Sequence, residues 1–287
     1  MWSDRRCFNP SVGLKMGPGS IVVPLRNEAE NVEPLVREVQ GVLSSFAAGV
    51  QIVLVDDHSS DGTAVELRRI AAMHPEVRVV TLRDGSGKDC ALVTGLRRAS
   101  GDWVVTMDGD LQNDPGDIPR LLAGLQSCDM VCGVRTRRKQ GLLRRSASWI
   151  ANTFRNVVTG DSIEDAGCAL RAMCVGAAHC IVTLNPQLFD AAHYFYPTIL
   201  RKRGFRIDQL SVRDRPRSHG SSKFGIVRGR LVTGLRACLK VRSRYCRGRT
   251  VSNKSIQRMP VNTGARLEAP DPSDVVHGIG AAGRKSQ

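Results

Sequence analysis

An α/β fold built on a doubly wound, mostly parallel and Rossmann-like sheet is the class this sequence predicts, and two observations predict it. Short apolar runs alternate with stretches of helical periodicity, and parallel strands need a crossover helix between them. The clusters Asn27-Glu28, Asp56-Asp57 and Asp108-Asp110 each fall directly after an apolar run, at the strand ends where such sheets bind ligands. Independent turns would scatter acids at both ends of strands. With 287 residues, 41% of them hydrophobic, the chain has enough apolar mass to fill a core.

Taken in order, residues 1–19 mix charge, Gly and Pro without periodicity and are expected to form a loose leader. Order is expected from Ser20, with Ile21 to Leu25 a buried strand. Val32, Leu35, Val36, Val39 and Leu43 then mark the apolar face of a helix. Gln51 to Val55 is the second strand, and Asp61 is placed to cap the helix that carries Leu67 and Ile70. Val77 to Leu82 is the third strand, and a helix from about Cys90 to Ala99 leads to the fourth, Trp103 to Met107. Beyond it the pattern predicts a helix over Gly116 to Leu125, a strand over Asp129 to Val134 and a helix over Ser146 to Val158. A helix from Tyr194 to Lys202 and a strand from Phe205 to Val212 follow.

From Val227 to Arg244 the residues Val227, Leu231, Val232, Leu235, Cys238 and Leu239 share one side of a helical wheel, with basic residues mostly opposite. Such a helix suits an anionic membrane surface, or packs on its own domain. The expected organisation is a leader at 1–19, one domain at 20–225, a basic amphipathic helix at 226–246 and a disordered tail at 247–287.

The fourth strand ends abruptly in Asp108-Gly109-Asp110. In extended backbone, residues two apart point the same way, so both carboxylates could converge on one hard cation, Mg²⁺ or Mn²⁺. Asp-Gly-Asp is also ordinary turn chemistry that needs no metal. A dinucleotide Gly-x-Gly-x-x-Gly is absent after the first strand, and Gly85-Ser86-Gly87-Lys88-Asp89 lacks the first Gly and the final Ser or Thr of a triphosphate loop, although Lys88 could still touch a phosphate. Two basic clusters follow, one from Arg135 to Arg145 and one from Arg213 to Lys223; both are rich in Arg, the better bidentate phosphate ligand.

The net charge of +15 calls for an anionic partner: nucleic acid, a phosphorylated substrate or an acidic membrane surface. Aromatics at 5% are few for base stacking, and acids at three strand ends would repel a phosphate backbone, so nucleic acid is not expected. The sequence contains no apolar run near the ~18 residues a membrane span needs, and residues 1–20 lack the apolar core of a signal peptide. Nine cysteines without a Cys-x-x-Cys fit buried thiols in a reducing compartment better than disulfides or zinc. A soluble or peripheral protein in a reducing cytoplasm is therefore expected.

Val23-Pro24-Leu25-Arg26-Asn27-Glu28, Val55-Asp56-Asp57-His58-Ser59-Ser60-Asp61-Gly62-Thr63, Gly87-Lys88, Met107 to Pro115, Asp165-Ala166-Gly167-Cys168 and Arg215-Pro216-Arg217 through Lys223-Phe224 occur in this order. As an ordered set they resemble the inverting glycosyltransferases of the GT-A fold, family 2. Within that family the resemblance is to the branch that moves sugar from a nucleotide donor to a polyprenyl phosphate, the dolichol-phosphate mannosyltransferase group and its bacterial relatives.

The resemblance implies that Pro24, Asn27, Glu28, Asp56, Asp57 and Lys88 line the site of a UDP- or GDP-sugar, and that Asp108 and Asp110 hold the metal and diphosphate with Gln112 as a further metal ligand. It implies that Arg135, Arg145, Arg215, Arg217, Ser222 and Lys223 hold the acceptor phosphate. Arg26 stands where the family usually has Tyr, and the family's two common carboxyl-terminal membrane spans have no counterpart in this sequence. Attachment by surface contact on the cytoplasmic face of the membrane is then what the resemblance implies, which leaves room for a membrane-anchoring partner protein.

A phosphate acceptor is mostly ionised at pH 7, with a second pKa of about 6, so it needs no catalytic base. Asp165 is accordingly assigned an orienting role. Two alternatives stay open: a saccharide acceptor in cell-wall or surface-polysaccharide synthesis, and a basic binding protein that has lost catalysis.

Overall fold

The computed structural model describes residues 17–43, 49–136, 152–183, 191–217, 234 and 236–243. Strand and helix alternate first through β1 (Gly19–Leu25), α1 (Ala29–Leu43), β2 (Val50–Asp56), α2 (Thr63–Met73), β3 (Val77–Thr81), α3 (Lys88–Arg98) and β4 (Trp103–Thr106). The helical crossovers make these strands parallel, in the order β3-β2-β1-β4. A 3₁₀ turn (Pro115–Asp117), α4 (Ile118–Gly124), β5 (Met130–Arg135) and α5 (152–159) come next. Then follow β6 (Arg171–Cys174), α6 (Val175–Thr183), a 3₁₀ turn (Ala192–Phe195), α7 (Tyr196–Lys202), β7 (Ile207–Val212) and a short α8 (236–241).

The full sheet runs β3-β2-β1-β4-β6-β5-β7, and β6 alone is antiparallel to its neighbours. Sequence reading assigned no strand to β6 and no helix to α6, for physical reasons. Four residues led by Arg171 present little apolar run, and Val175–Thr183, with small and apolar residues nearly all round, shows no stripe against a polar face. The antiparallel turn has a consequence for the site. Arg171 pairs with Thr106 at the carboxyl end of β4, so the loop that leads into β6 is delivered to that end of the sheet.

Alternation along the strands divides the core into two layers. Ile21, Val23 and Leu25 of β1 face Val32, Leu35, Val36 and Val39 of α1 together with Leu67, Ile70, Leu121 and Leu122. Val22 faces the other way, onto Leu92 and Leu96 of α3 and onto Ala177, Ile181, Ile199 and Leu200. Of the expected basic helix, residue 234 and residues 236–243 are described. There Ala237, Cys238 and Val241 join the core, Leu239 is 53% exposed, and Arg242 Nη1 donates to the Val158 carbonyl at 2.9 Å. The apolar face of α8 thus packs on its own domain.

Gly95 marks how closely α3 lies on the sheet: a Cβ there would sit 2.3 Å from Val22 Cγ1 and 3.0 Å from Val55 Cγ2. Exchanging an exposed helical Gly for Ala normally gains up to about 1 kcal/mol. Here the stiff β-branched neighbours cannot yield, and overpacking costs about 1–3 kcal/mol. Gly95→Ala is therefore expected to lower the melting temperature, and a rise would contradict the packing described.

Candidate functional site

Three loops at the carboxyl ends of β1, β2 and β4 each contain a non-glycine residue in the left-handed region: Asn27 (φ 52°), His58 (φ 54°) and Leu111 (φ 61°). Such conformations cost on the order of 1–3 kcal/mol each and persist only where surrounding bonds impose them. Those bonds are present. The Asn27 N–H donates to Ser59 Oγ at 2.8 Å, the Ser60 N–H returns to Asn27 Oδ1 at 2.7 Å, and the Ser59 N–H donates to Asp56 Oδ1 at 3.0 Å. The Glu28 N–H donates to Thr63 Oγ1 at 2.8 Å, and Asn31 holds the Glu28 carboxylate at 2.6 Å. Asp61 serves α2 as expected, one position early: Gly62 is the N-cap, and Asp61 Oδ1 accepts from the Thr63 N–H at 2.9 Å.

Asp56 is 1% exposed and committed to Ser59. Asp57 accepts from the Gly87 N–H at 3.1 Å and from Arg26 Nη1 at 3.4 Å. Burial raises the Asp57 carboxyl's pKa against the pull of those donors. Arg26, the departure from the resemblance, therefore braces the second strand's acid.

β4 stops at Thr106, and the acidic residues occupy the loop beyond it. The Asp108 N–H donates to Asn113 Oδ1 at 2.9 Å and the Gln112 N–H to Asp110 Oδ1 at 3.2 Å, which closes the loop on itself. A Cβ at Gly109, between the acids, would lie 2.2 Å from Leu25 Cδ2, so a side chain there would have to displace that methyl. Each acid faces a cation from a different element. Lys88, at the start of α3, pairs with Asp108, and Arg217 Nη2 lies 2.7 Å from Asp110 Oδ2 and 3.9 Å from Glu28 Oε1.

Burial works against the charge on Asp108, but Lys88 outweighs it and holds the carboxyl below its usual range; Lys88 is raised in return. Burial opposes the charge on Arg217, and the Asp110 hydrogen bond, with the charges of Asp110, Glu28 and Asp108, raises its pKa against that burial.

The segment around Arg215 straps this loop. Its N–H donates to the Gln112 carbonyl at 3.0 Å, and its guanidinium reaches Asp114 at 2.7 Å and Glu38 at 2.6 Å. Across the cleft, Arg135 forks onto Asp165, with Nε to Oδ2 at 2.7 Å and Nη2 to Oδ1 at 2.9 Å. The structure thus brings together Asn27, Glu28, Asp56 and Asp57 on one side, Asp108, Asp110, Gln112, Lys88, Arg215 and Arg217 around the acidic loop, and Arg135 with Asp165. Arg145, Ser222 and Lys223 lie outside the described residues.

Pro24, Lys88, Thr106, Asp108, Arg171 and His193 line the cleft. Sequence reading missed Arg171, His193 and its partner Asp89. Asp89 stood next to the noted Lys88, but His193 is an isolated imidazole before aromatic residues, with no spacing signal.

Among the described residues no three His, Cys, Asp or Glu side chains converge as a self-sufficient metal site. Two carboxylates and an amide are nevertheless a hard oxygen donor set, and both carboxylates already attract cationic groups. Such a set fits Mg²⁺ or Mn²⁺ when substrate phosphates complete the coordination.

The sequence model described as "Glycosyl transferase family 2" matches residues 20–181. Dodecaprenyl-phosphate galacturonate synthase of Rhizobium johnstonii is 36% identical over 215 residues, 73% of this chain and 62% of that protein. Undecaprenyl-phosphate 4-deoxy-4-formamido-L-arabinose transferase of Edwardsiella ictaluri is 34% identical over 212 residues, 73% of this chain and 63% of that protein. The chain spans less than two thirds of the length of these relatives.

Among solved structures, the mannosyltransferase PcManGT from Pyrobaculum calidifontis, in complex with GDP-Man and Mn²⁺, superposes with a TM-score of 0.56 at 20% identity, over 79% of this chain and 66% of that one. Glucosyl-3-phosphoglycerate synthase from Mycobacterium tuberculosis, crystallised with Mn²⁺, UDP and glucosyl-3-phosphoglycerate, gives a TM-score of 0.52 at 17% identity, over 80% of this chain and 81% of that one. At these identities the superpositions speak for the fold.

Proposed function

The chain belongs to glycosyl transferase family 2, with the GT-A α/β fold, and from that premise we propose that it moves a sugar from a UDP- or GDP-sugar to a polyprenyl phosphate at the cytoplasmic membrane surface. The observation that carries this reading is the Asp108-Gly109-Asp110 loop ringed by cations, Lys88 and Arg217 at the acids and Arg135 across the cleft. A site for two phosphorylated substrates needs this arrangement, with acids for a metal-bound diphosphate and arginines for phosphate oxygens. The names of the two relatives point to the same acceptor class.

Asn27, Glu28, Asp56 and Asp57 form the nucleoside side of the site, where the interlocked β1 and β2 loops fix a preformed wall with Pro24. Asp108, Asp110 and Gln112 hold Mg²⁺ or Mn²⁺. When bound, the cation neutralises charge that builds on the leaving diphosphate. Arg217 and Lys88 leave the carboxylates as the donor arrives and turn to its phosphates. Arg135 keeps its fork on Asp165 and offers its remaining edge to the acceptor phosphate, so Asp165 is an orienting residue, as its geometry with Arg135 supports.

An ionised phosphate oxygen attacks the anomeric carbon directly, which inverts its configuration. Arg145, Ser222 and Lys223 belong to the same proposal, on the acceptor side. No helix among the described residues is long and apolar enough to cross a membrane. Contact with anionic headgroups through the basic residues, with or without an anchoring partner protein, is the proposed attachment.

The test is nucleotide diphosphate release from a panel of UDP- and GDP-sugars by the full chain, with and without undecaprenyl phosphate and with Mg²⁺, Mn²⁺ or chelator. Release is expected only with both lipid phosphate and metal. Arg135→Ala is expected to raise the KM for the lipid about tenfold or more, the scale of one charge-assisted pair at about 1.5–3 kcal/mol. Lipid-independent release would turn the assignment toward a saccharide acceptor, and an unchanged lipid KM in that variant would remove Arg135 from the acceptor site.

A further inference from the structure

His193 enters the cleft with one ring nitrogen fixed and the other open. Its backbone N–H and its Nδ1 both face Asp89 Oδ1, at 2.7 Å and 2.9 Å. An ionised carboxylate only accepts, so Nδ1 carries the proton. At pH 7 an ordinary imidazole, with a pKa of about 6.5, is mostly neutral, which leaves Nε2 a lone pair; burial, opposed by the Asp89 hydrogen bond, acts in the same direction.

The ring is also held in place. Arg171 Nη1 donates to the His193 carbonyl at 2.8 Å, Ala191 two residues earlier takes the left-handed conformation (φ 65°), and Tyr194 lies against the imidazole at 4.1 Å between centroids. Among the described residues nothing donates to Nε2.

A bare nitrogen acceptor chooses its partner by chemistry. Diphosphate and lipid-phosphate oxygens are acceptors too and cannot bond to it. A cation could, but His193 forms no three-group cluster with Asp108 and Asp110 among the described residues. A neutral O–H remains, and the ring lines the same cleft as Asp108 and Lys88. We propose that His193 Nε2 accepts a hydrogen bond from a hydroxyl of the transferred sugar, with Asp89 the positioning residue that fixes the tautomer. This rests on the transferase reading above and adds the residue that reads the sugar.

The experiment is calorimetric binding to the full chain in Mn²⁺ of UDP-glucose, UDP-galactose, UDP-galacturonate and GDP-mannose, each against its own nucleotide diphosphate. His193→Ala is expected to weaken the best nucleotide sugar about threefold to tenfold, one neutral hydrogen bond, and to leave UDP or GDP binding unchanged. His193→Phe keeps a flat ring at the same place and has no acceptor, so it is expected to do the same and decides the matter if His193→Ala does not fold.

Equal losses for sugar nucleotide and nucleotide would make His193 a structural residue, and no loss would remove the sugar contact. Either outcome overturns the inference alone. A wild-type chain that binds nothing on the panel overturns the transferase reading and this inference together.

Discussion

Asp108→Asn is expected to lower kcat/KM for nucleotide-diphosphate release by about 10²- to 10³-fold, the scale on which removal of one preorganised electrostatic group acts. The substitution keeps the shape and the backbone bond from Asp108 to Asn113. What it removes is the negative charge that anchors Lys88 and supplies one of two carboxylates to the acidic loop. Stability should change little. The side chains of Lys88 and Asp108 are each 31% exposed, so the pair contributes at most about 1 kcal/mol and the released ammonium can turn to water. A melting-temperature change within about 4 °C is expected.

That separation makes the measurement decisive. Activity lost with the fold intact places chemistry at Asp108, whereas a parallel collapse of both would make the pair structural. Retained activity would favour the plain-turn interpretation of Asp-Gly-Asp and remove Asp108 from the metal and diphosphate set.

How much of this could be read from the chain depended on whether the determining contacts were local. β1 to β4 and their helices were legible because each strand is built on an apolar run that gives way to charged or polar residues, and α1 carries a clean stripe. The convergence of polar clusters at the strand ends followed from parallel topology alone. β6 was not legible, since its only signal is a short run led by an arginine whose role appears after β4 is placed beside it. The pairing of Lys88 with Asp108 was not legible, because that contact is set by where α3 begins. Arg217 with Asp110 and His193 with Asp89 join residues more than a hundred positions apart. No periodicity encodes such pairs. They come from loops that the sheet order brings to one edge.

Arg171 shows the same dependence and carries the largest expected effect on stability. It is 4% exposed and engages no carboxylate among the described residues. Instead its Nε donates to the Cys168 carbonyl at 2.9 Å, Nη1 to His193 at 2.8 Å and Nη2 to Ala166 at 2.6 Å. One planar fork thus ties the loop after Asp165 and the His193 turn to the first residue of β6. Arg171→Leu fills the volume but orphans three buried carbonyls, each of which costs about 1–3 kcal/mol if unsatisfied.

Partial hydration of the loops reduces the sum, so a net loss of about 3 kcal/mol and a melting temperature lower by about 6–12 °C are expected. Arg171→Lys retains the charge without the fork and should fall between. Because the fork holds His193, the Lys variant should also lose discrimination between nucleotide sugar and nucleotide, at temperatures where it remains folded. A leucine variant that melts within 2 °C of wild type would mean that the three carbonyls find other donors, and that the cleft wall is fixed by the sheet without its arginine.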